Sequence, residues 1–282
     1  MKFELIKSYA KINLSLHILG KAKSGMHKIE SLITFLNLYD EIYIKKIKGK
    51  NHKIYFFGKF CKKISKINTV SNLFNILDEK KLLGNQKFLI KIKKKIPLKS
   101  GMGGGSMNAA SLIKFFLNKK IIYLSNSKII NIANQIGSDV KLGLHHKNTF
   151  MLHNEKLLRF KKRLNLFCLV IKPNFGCSTR NIYKNAKSYA SSKMKLNRRN
   201  IMNINNIIKL NNDLENVVFS KYPKLRALNL KMQKLPNVIM VRMTGSGSAL
   251  IAYFKSKNAS INAAKILKKN YKNYWCIVSK TI

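Results

Sequence analysis

The sequence predicts an α+β protein with more than one domain. Segments in which apolar and polar residues alternate, typical of strands, are interleaved along the chain with segments of helical periodicity. The 282 residues are enough to bury a full core and favour two domains over one. Hydrophobic residues make up 46% of the chain, which excludes a disordered polycation despite a formal net charge of +46.

The first predicted strand covers residues 3–19, because apolar and polar side chains alternate between its two faces. The apolar face carries Ile12, Leu14, Leu16 and Ile18, and the polar face carries Asn13, Ser15 and His17. A turn at residues 20–27 follows. The later elements predicted in this half are an apolar run at 29–38, strands at 41–46 and 88–96, and helices at 68–82, 108–117 and 125–136. Ser125 is the candidate N-cap of the last helix.

An apolar, β-prone segment at residues 164–173 is predicted to begin a second domain. The Lys- and Asn-rich residues 185–210 have little periodicity and predict loops with a short helix. The remaining sequence predicts a helix at 214–233, two short β segments within 238–254 that meet at a glycine turn, a helix at 258–269 and a strand at 274–278.

A cluster of glycines within residues 96–111 lies between a predicted strand and a predicted helix. Glycine lets backbone N–H groups approach an anion closely, and a helix that begins near Ser106 adds its unpaired amides and positive dipole end. The spacing matches neither the Walker loop nor the dinucleotide-binding fingerprint. The pattern predicts a phosphate-binding loop, and a tight strand-to-helix connection without a ligand remains the alternative.

The basic residues are almost all lysines and are scattered through every segment. A basic arm or an Arg-rich tract, which would favour nucleic-acid binding, is absent from the sequence. Codons for Lys, Asn and Ile are A/T-rich, so the composition indicates drift of solvent-facing residues in a biased genome. We expect no specific nucleic-acid partner, with a nucleic-acid-binding surface as the alternative, and long-range attraction of anionic substrates at low salt.

The four cysteines are far apart and include no Cys-x-x-Cys pair: Cys61, Cys168, Cys177 and Cys276. They predict isolated thiols in a reducing compartment rather than disulfides or a metal site. The sequence has no run of about 18 apolar residues and no apolar signal-peptide core. We expect a cytoplasmic protein that is not associated with a membrane.

Two residues are candidates for catalysis. Asp139, one of only ten acidic residues, lies between a helix-ending glycine and an apolar segment. A carboxylate there could accept a hydroxyl proton during phosphoryl transfer, or bond to its own turn instead. Lys11 shares a strand face with Asn13, where an ammonium group could lower the pKa of an acid or offset phosphoryl charge. The alternative is that Lys11 is a solvated lysine without a catalytic role.

Three separated segments resemble the three motifs of the GHMP kinase superfamily, in the same order and with the same spacing. They cover residues 10–14 (Ala-Lys-Ile-Asn-Leu), 101–106 (Gly-Met-Gly-Gly-Gly-Ser) and 244–247 (Thr-Gly-Ser-Gly). Residues 25–31, 137–140 and 212–215 resemble the branch of the superfamily that acts on 4-diphosphocytidyl-2-C-methyl-D-erythritol. The resemblance covers nearly the whole chain and is vaguest over residues 185–210.

This resemblance implies an ATP-dependent kinase of the non-mevalonate isoprenoid pathway, which phosphorylates the 2-hydroxyl of that substrate. It implies an N-terminal ATP-binding domain over residues 1–160 and a C-terminal substrate-binding domain, a ferredoxin-like α/β sandwich, over residues 161–282. ATP would be used with Mg²⁺ but without a dedicated protein metal site. The implied partners are these two small-molecule substrates, bound by a monomer or homodimer.

The family's catalytic residues fall on Lys11 and Asp139. In the implied mechanism Asp139 accepts the hydroxyl proton, while Lys11 keeps that carboxylate ionised and steadies the developing charge. The implied acceptor-binding residues are Asn13 for the methylerythritol end, His27 for the cytosine edge, and Thr179 with the stacking Tyr183. The implied ATP-binding loop comprises Pro97, Leu98, Lys99, Ser100, Gly101, Met102, Gly103, Gly104, Gly105, Ser106 and Met107. The third glycine motif comprises Thr244, Gly245, Ser246 and Gly247.

The sequence departs from the family pattern in three places. Met26 replaces a stacking tyrosine, so the cytosine would keep one aromatic wall and gain a thioether. Lys99 and Ser100 stand where relatives carry small residues or glycine, and Lys141 replaces the proline that follows the Asp-Val pair. A GHMP kinase of the homoserine or mevalonate type remains an alternative, although the Gly-Met-His turn argues against it.

Overall fold

The computed structural model describes residues 2–22, 25, 27–186, 189–192 and 200–282. The chain forms two compact units, each assembled from separate stretches of sequence. The first unit comprises Met1–Lys11, Leu38–Leu98 and Gly103–His146, and the second comprises Ile12–Asn37, Lys99–Met102 and Lys147–Ile282. Two long paired strands, β1 (Glu4–Lys21) and β2 (His27–Ile47), contribute residues to both units. A domain boundary near residue 160 stays a prediction.

The first unit packs helices against a strand ladder. β4 (Lys87–Lys93) pairs in parallel with β3 (Lys53–Phe57) and antiparallel with the C-terminal part of β2. Every second side chain of β4 is buried, as the alternation predicts: Phe88, Ile90 and Ile92. The helices of this unit are α1 (Thr69–Glu79), α2 (Gly104–Asn118), α3 (Asn126–Ile136) and the short α4 (Val140–Gly143).

Side-chain caps explain where two of these helices begin. The Asn68 side chain accepts N–H bonds from the first turn of α1, and the Ser71 hydroxyl accepts the N–H of Asn68, which completes a capping box. Ser125 caps α3 in the predicted place. α2 begins differently, because its N-cap is Gly103, which has a left-handed backbone with a φ of 64° and no side chain to cap the helix.

The second unit contains a four-stranded antiparallel sheet. Its strands are β7 (Phe167–Lys172), β8 (Met240–Met243), β9 (Leu250–Phe254) and β10 (Trp275–Lys280), in the spatial order β10-β7-β9-β8. Between β7 and β8 lie α5 (Thr179–Lys184), α6 (Ile204–Ile208), α7 (Leu214–Lys221) and α8 (Pro223–Gln233), and between β9 and β10 lies α9 (Lys257–Asn270). This strand order and connectivity confirm the ferredoxin-like prediction.

The N-terminal part of β2 extends the second unit through a separate antiparallel ladder. It pairs with β5 (Asn148–Met151), and β5 pairs in turn with β6 (Leu157–Phe160). The core of the unit is formed by apolar residues of the four-stranded sheet and its helices, among them Leu169, Leu214, Leu228, Leu250 and Leu267.

Several predicted boundaries were wrong. The apolar run at 29–38 and the strand at 41–46 form the single strand β2, whose residues 30–36 are buried on both faces and therefore show no alternation. The predicted helix at 214–233 is broken into α7 and α8, because Pro223 occupies the first position of α8 and has no N–H with which to continue α7. The short strands β3, β5 and β6 were not predicted.

Candidate active site

The first unit brings the two candidate catalytic residues into contact. Lys11 Nζ lies 3.0 Å from Asp139 Oδ2, and the Lys11 side chain is 5% exposed whereas that of Asp139 is 36% exposed. A buried ammonium group paired with a partly exposed carboxylate leaves the carboxylate open to a substrate hydroxyl. The alternative of a solvated lysine at position 11 is therefore wrong.

Asp139 owes its position to the turn between α3 and α4. The N–H of Val140 donates to Gly137 O at 3.0 Å, and Asp139 is the N-cap residue of α4. Its carboxylate makes no capping hydrogen bond to that helix within the described part of the chain. The structure therefore does not support the alternative in which this carboxylate bonds to its own turn, and the Lys11 ion pair is formed instead.

The N-terminus of α2 lies beside this ion pair. A Cβ atom added to Gly103 would be 3.2 Å from Lys11 Cε and 3.6 Å from Asp139 Oδ2. Because Gly103 has no side chain, the helix amides of the first turn are left for an incoming anion, at the positive end of the helix dipole. The ion pair and a helix terminus suited to phosphate thus occupy one place in the first unit.

Residues 99–102 of the predicted phosphate loop belong to the second unit, where they pack on the third glycine motif. Ser248 N donates to Lys99 O, and Ala249 N donates to Ser100 O, both at 3.3 Å. A Cβ added to Gly101 would lie 1.9 Å from Thr244 O, and Gly101 has a φ of +75°. Glycine is therefore required at position 101 by close backbone approach as well as by conformation.

Two residues of the Asn-Asp-Leu-Glu segment hold the third glycine motif in place. Asn212 Nδ2 donates to Met243 O and to Gly245 O, both at 2.8 Å, and Glu215 Oε1 accepts the N–H of Met243 at 2.7 Å. In the sequence this segment is distinguished only by its resemblance to the kinase family. In the structure, the side chains of Asn212 and Glu215 form hydrogen bonds with backbone groups on both sides of Thr244.

Asn13 lies in a buried hydrogen-bond network of the second unit. Its Nδ2 donates to Ser31 Oγ at 2.7 Å, and that hydroxyl donates to Ser15 O at 2.5 Å. The Asn13 N–H donates to Thr244 Oγ1, which in turn donates to Gly101 O, both at 3.1 Å. Asn13 and Thr244 were predicted site residues, whereas the contribution of Ser31 was missed because it depends on strand pairing.

Two further pairs of predicted residues are in contact within the second unit. The hydroxyl oxygens of Thr179 and Ser246 lie 2.8 Å apart, which joins the start of α5 to the third glycine motif. The rings of His27 and Tyr183 have centroids 5.3 Å apart and an interplanar angle of 46°. Met26, the departure from the family pattern beside His27, lies outside the described residues.

His27 has a lowered pKa and a buried ring nitrogen. Burial, with a smaller contribution from the Lys21 charge, lowers the pKa of its imidazole. Its Nε2 is buried and forms no hydrogen bond with the described residues. A neutral imidazole nitrogen of this kind is able to exchange one hydrogen bond with a ligand.

The described residues contain no group of three or more His, Cys, Asp or Glu side chains arranged to bind a metal ion. Within the same part of the chain, no helix combines the length and the apolar character that crossing a membrane requires.

Two family models match separate parts of the chain. A model of the GHMP kinases N terminal domain matches residues 68–150, and a model of the GHMP kinases C terminal region matches residues 193–273. The fold and these two matches define the class of the protein as a GHMP kinase.

Sequence identity to curated proteins shows which family of GHMP kinases this chain belongs to. A 4-diphosphocytidyl-2-C-methyl-D-erythritol kinase of Pelagibacter ubique (strain HTCC1062) is 49% identical, over 98% of this chain and 98% of that protein. A kinase of the same name from Anaplasma marginale (strain Florida) is 30% identical, over 96% of this chain and 94% of that protein. The chain belongs to the family of 4-diphosphocytidyl-2-C-methyl-D-erythritol kinases. It is a small-molecule kinase, and kinase activity implies the use of ATP.

Solved structures share the fold over almost the whole chain. A 4-(cytidine 5'-diphospho)-2C-methyl-D-erythritol kinase superposes with a TM-score of 0.80 at 20% identity, covering 98% of this chain and 99% of that chain. Homoserine kinase from Cytophaga hutchinsonii superposes with a TM-score of 0.69 at 16% identity, covering 99% and 94% of the two chains. At these identities the likeness concerns the fold alone.

Proposed function

We propose that this protein transfers the γ-phosphoryl group of ATP to the 2-hydroxyl of 4-diphosphocytidyl-2-C-methyl-D-erythritol, a step of the non-mevalonate isoprenoid pathway. The observation that carries the proposal is the Lys11–Asp139 ion pair at the N-terminus of α2. The full-length similarity to curated kinases of this name supports the choice of acceptor.

The proposed chemistry assigns one proton transfer to Asp139. Its carboxylate accepts the proton of the 2-hydroxyl as that oxygen attacks the γ-phosphorus, and the bond from this phosphorus to the β–γ bridging oxygen breaks to release ADP. The buried Lys11 ammonium group holds this carboxylate in place through the 3.0 Å ion pair. It also offsets negative charge on the transferring phosphoryl group.

The proposed phosphate site is the loop of residues 97–107 with the first turn of α2. Backbone amides at a glycine-capped helix terminus bind phosphate oxygens without the ordering of any side chain, and the helix dipole favours the negative charge. Lys99 is exposed, and its backbone has a φ of 49°. A contact from its side chain to ATP stays a prediction.

Mg²⁺ would enter with ATP, in keeping with a cation that takes much of its coordination from phosphates and water. The Ser106 hydroxyl of the first unit is an oxygen donor that fits such an ion. A Cβ added to Gly137 would lie 3.8 Å from Ser106 Oγ, which places this hydroxyl beside the turn that carries Asp139. The chemistry that the ion supplies is neutralisation of phosphate charge.

We propose that the acceptor is bound by residues of the second unit. Asn13 would contact the methylerythritol end, and His27 would read an edge of the cytosine through Nε2. Tyr183 would stack on the base, and Thr179 would bond to the acceptor from the start of α5. A cytoplasmic location and a monomeric or homodimeric state complete the proposal.

The test is a phosphorylation assay with purified protein, ATP and Mg²⁺. 4-Diphosphocytidyl-2-C-methyl-D-erythritol, homoserine and mevalonate are offered separately, and ³¹P NMR locates the new phosphate ester. We expect turnover of the cytidine compound alone, with a phosphate on the 2-hydroxyl and at least about 100-fold slower formation of this product by Asp139→Asn. Turnover of homoserine or mevalonate at a higher kcat/KM would refute the acceptor assignment.

A further inference from the structure

A groove on the first unit contains none of the residues assigned to the kinase reaction. It has a volume of about 420 Å³ and lies between the start of β1 and one face of α2, with His146 at one side. Its apolar wall includes Leu5, Ile6 and Phe115. Its polar side chains include Ser111 and Lys114, which are three residues apart on α2 and therefore share a face of that helix.

Ser111 brings a buried hydroxyl to the groove. The residue is only 6% exposed, and its Oγ forms no hydrogen bond with the described residues. Burying a hydroxyl group without a hydrogen-bond partner lowers the stability of the fold. A hydrogen bond from this hydroxyl to a ligand would offset that cost. The position of this group therefore favours a ligand with an acceptor atom.

Lys114 brings a positive charge that the other groove residues do not neutralise. Burial alone lowers the pKa of its ammonium group, and no carboxylate among the described residues forms an ion pair with it. The two other lysines of the groove have partners within the protein. Lys119 forms an ion pair with Glu4, and the Lys7 ammonium group lies 4.8 Å from the centre of the Tyr39 ring. A half-buried ammonium group of this kind favours a bound anion.

His146 adds an imidazole that is neutral at pH 7. Burial, followed by the charges of Lys114 and His145, lowers its pKa to about 4. Its ring packs edge-on against Tyr9, with ring centroids 5.2 Å apart. Since Glu4 and Lys119 form an ion pair, Lys114 supplies the half-buried positive charge of the groove, and Lys7 adds an exposed one.

We propose that this groove binds a small organic monoanion, a carboxylate on a short hydrocarbon body. The carboxylate would accept hydrogen bonds from the Lys114 ammonium group and the Ser111 hydroxyl, and the hydrocarbon body would cover Leu5, Ile6 and Phe115. A phosphate dianion fits less well, because it has no hydrocarbon body to cover Leu5, Ile6 and Phe115.

The test uses the imidazole of His146 as a reporter. The titratable groups around it are Lys114 of α2, Lys119 at the C-cap of that helix, Glu4, Lys7 and Tyr9 of β1, and His145. Binding of an anion beside Lys114 raises the pKa of His146, because a negative charge favours the imidazolium form. Hexanoate is titrated into the full-length protein while histidine resonances are followed by NMR across pH, with hexanol and acetate as probes that lack the charge or the hydrocarbon body.

We expect hexanoate to shift the His146 resonance saturably, to raise its pKa and to bind more tightly than acetate or hexanol. Lys114→Met should weaken hexanoate binding at least about tenfold, the effect of losing a charge-assisted hydrogen bond. Lys128→Met, which removes an exposed lysine of α3, should bind hexanoate as the wild type does.

Three results would overturn the proposal: a shift that does not saturate, equal binding of hexanol and hexanoate, or undiminished binding by Lys114→Met. Retained kinase turnover shows that the Lys114→Met protein is folded, and Lys114→Gln, which keeps a polar side chain, provides a second measurement of the charge effect. Failure of this proposal leaves the assigned kinase reaction unaffected.

Discussion

Substitution of Gly103 by alanine tests how closely the catalytic pair depends on the start of α2. Gly103 has a φ of +64°, and the new Cβ would lie 3.2 Å from Lys11 Cε and 3.6 Å from Asp139 Oδ2. An alanine in the left-handed region costs roughly 1–2 kcal/mol of stability. The side chain of Lys11 must also shift by a few tenths of an ångström to make room for the new Cβ. Since a misplacement of about 1 Å costs about 100-fold in rate, we expect kcat to fall about 3- to 10-fold.

Gly84 provides a matched control for the backbone strain. It also belongs to the first unit and has a φ of +53°, but an added Cβ would have no atom within 4 Å. Urea denaturation should therefore show similar losses of unfolding free energy for Gly84→Ala and Gly103→Ala. Steady-state kinetics should show a lowered kcat for Gly103→Ala alone. Equal kcat values for the two variants would refute the argument that residue 103 controls the geometry of the Lys11–Asp139 pair.

Four further predictions concern the proton acceptor, the stacking ring, a buried ion pair and the excess of lysines. Asp139→Asn should lower kcat at least about 100-fold with little change in the KM for ATP, as steady-state kinetics would show, because the proton acceptor is lost. Tyr183→Ala should raise the KM for the cytidine substrate and not that for ATP; equal effects on the two constants would contradict a stacking role. Asp40→Asn leaves the ammonium group of Lys94 buried without its counter-charge, so urea denaturation should show a loss of about 3–5 kcal/mol, and Glu4→Gln, which breaks an exposed pair, should cost much less. Competition with RNAs of mixed sequence should reveal only sequence-indifferent binding that collapses with salt; selective binding at physiological ionic strength, where the Debye length is about 8 Å, would refute compositional drift.

Local sequence patterns predicted much of the fold, because the energies that decide a helix start or a strand face act over a few residues. Ser125 was recognised as a helix N-cap and β4 as an alternating strand for this reason. Errors occurred where a partner distant in sequence decides the outcome. β2 continues through residues 27–47 because strands pair along it, and no period-two pattern marks its doubly buried part.

The candidate site was also predicted only in part from the sequence. Residue type and local spacing singled out Lys11, Asp139 and the glycine loop, because they limit what each residue can do. The third glycine motif was predicted from its resemblance to the superfamily. Only the tertiary structure decided that Lys11 and Asp139 lie 3.0 Å apart and that Gly101 must be glycine because Thr244 O occupies the space of a Cβ. The supporting bonds of Ser31 and Asn212 were also decided there. Such contacts join residues far apart in the chain, and their energies depend on distances that no local pattern specifies.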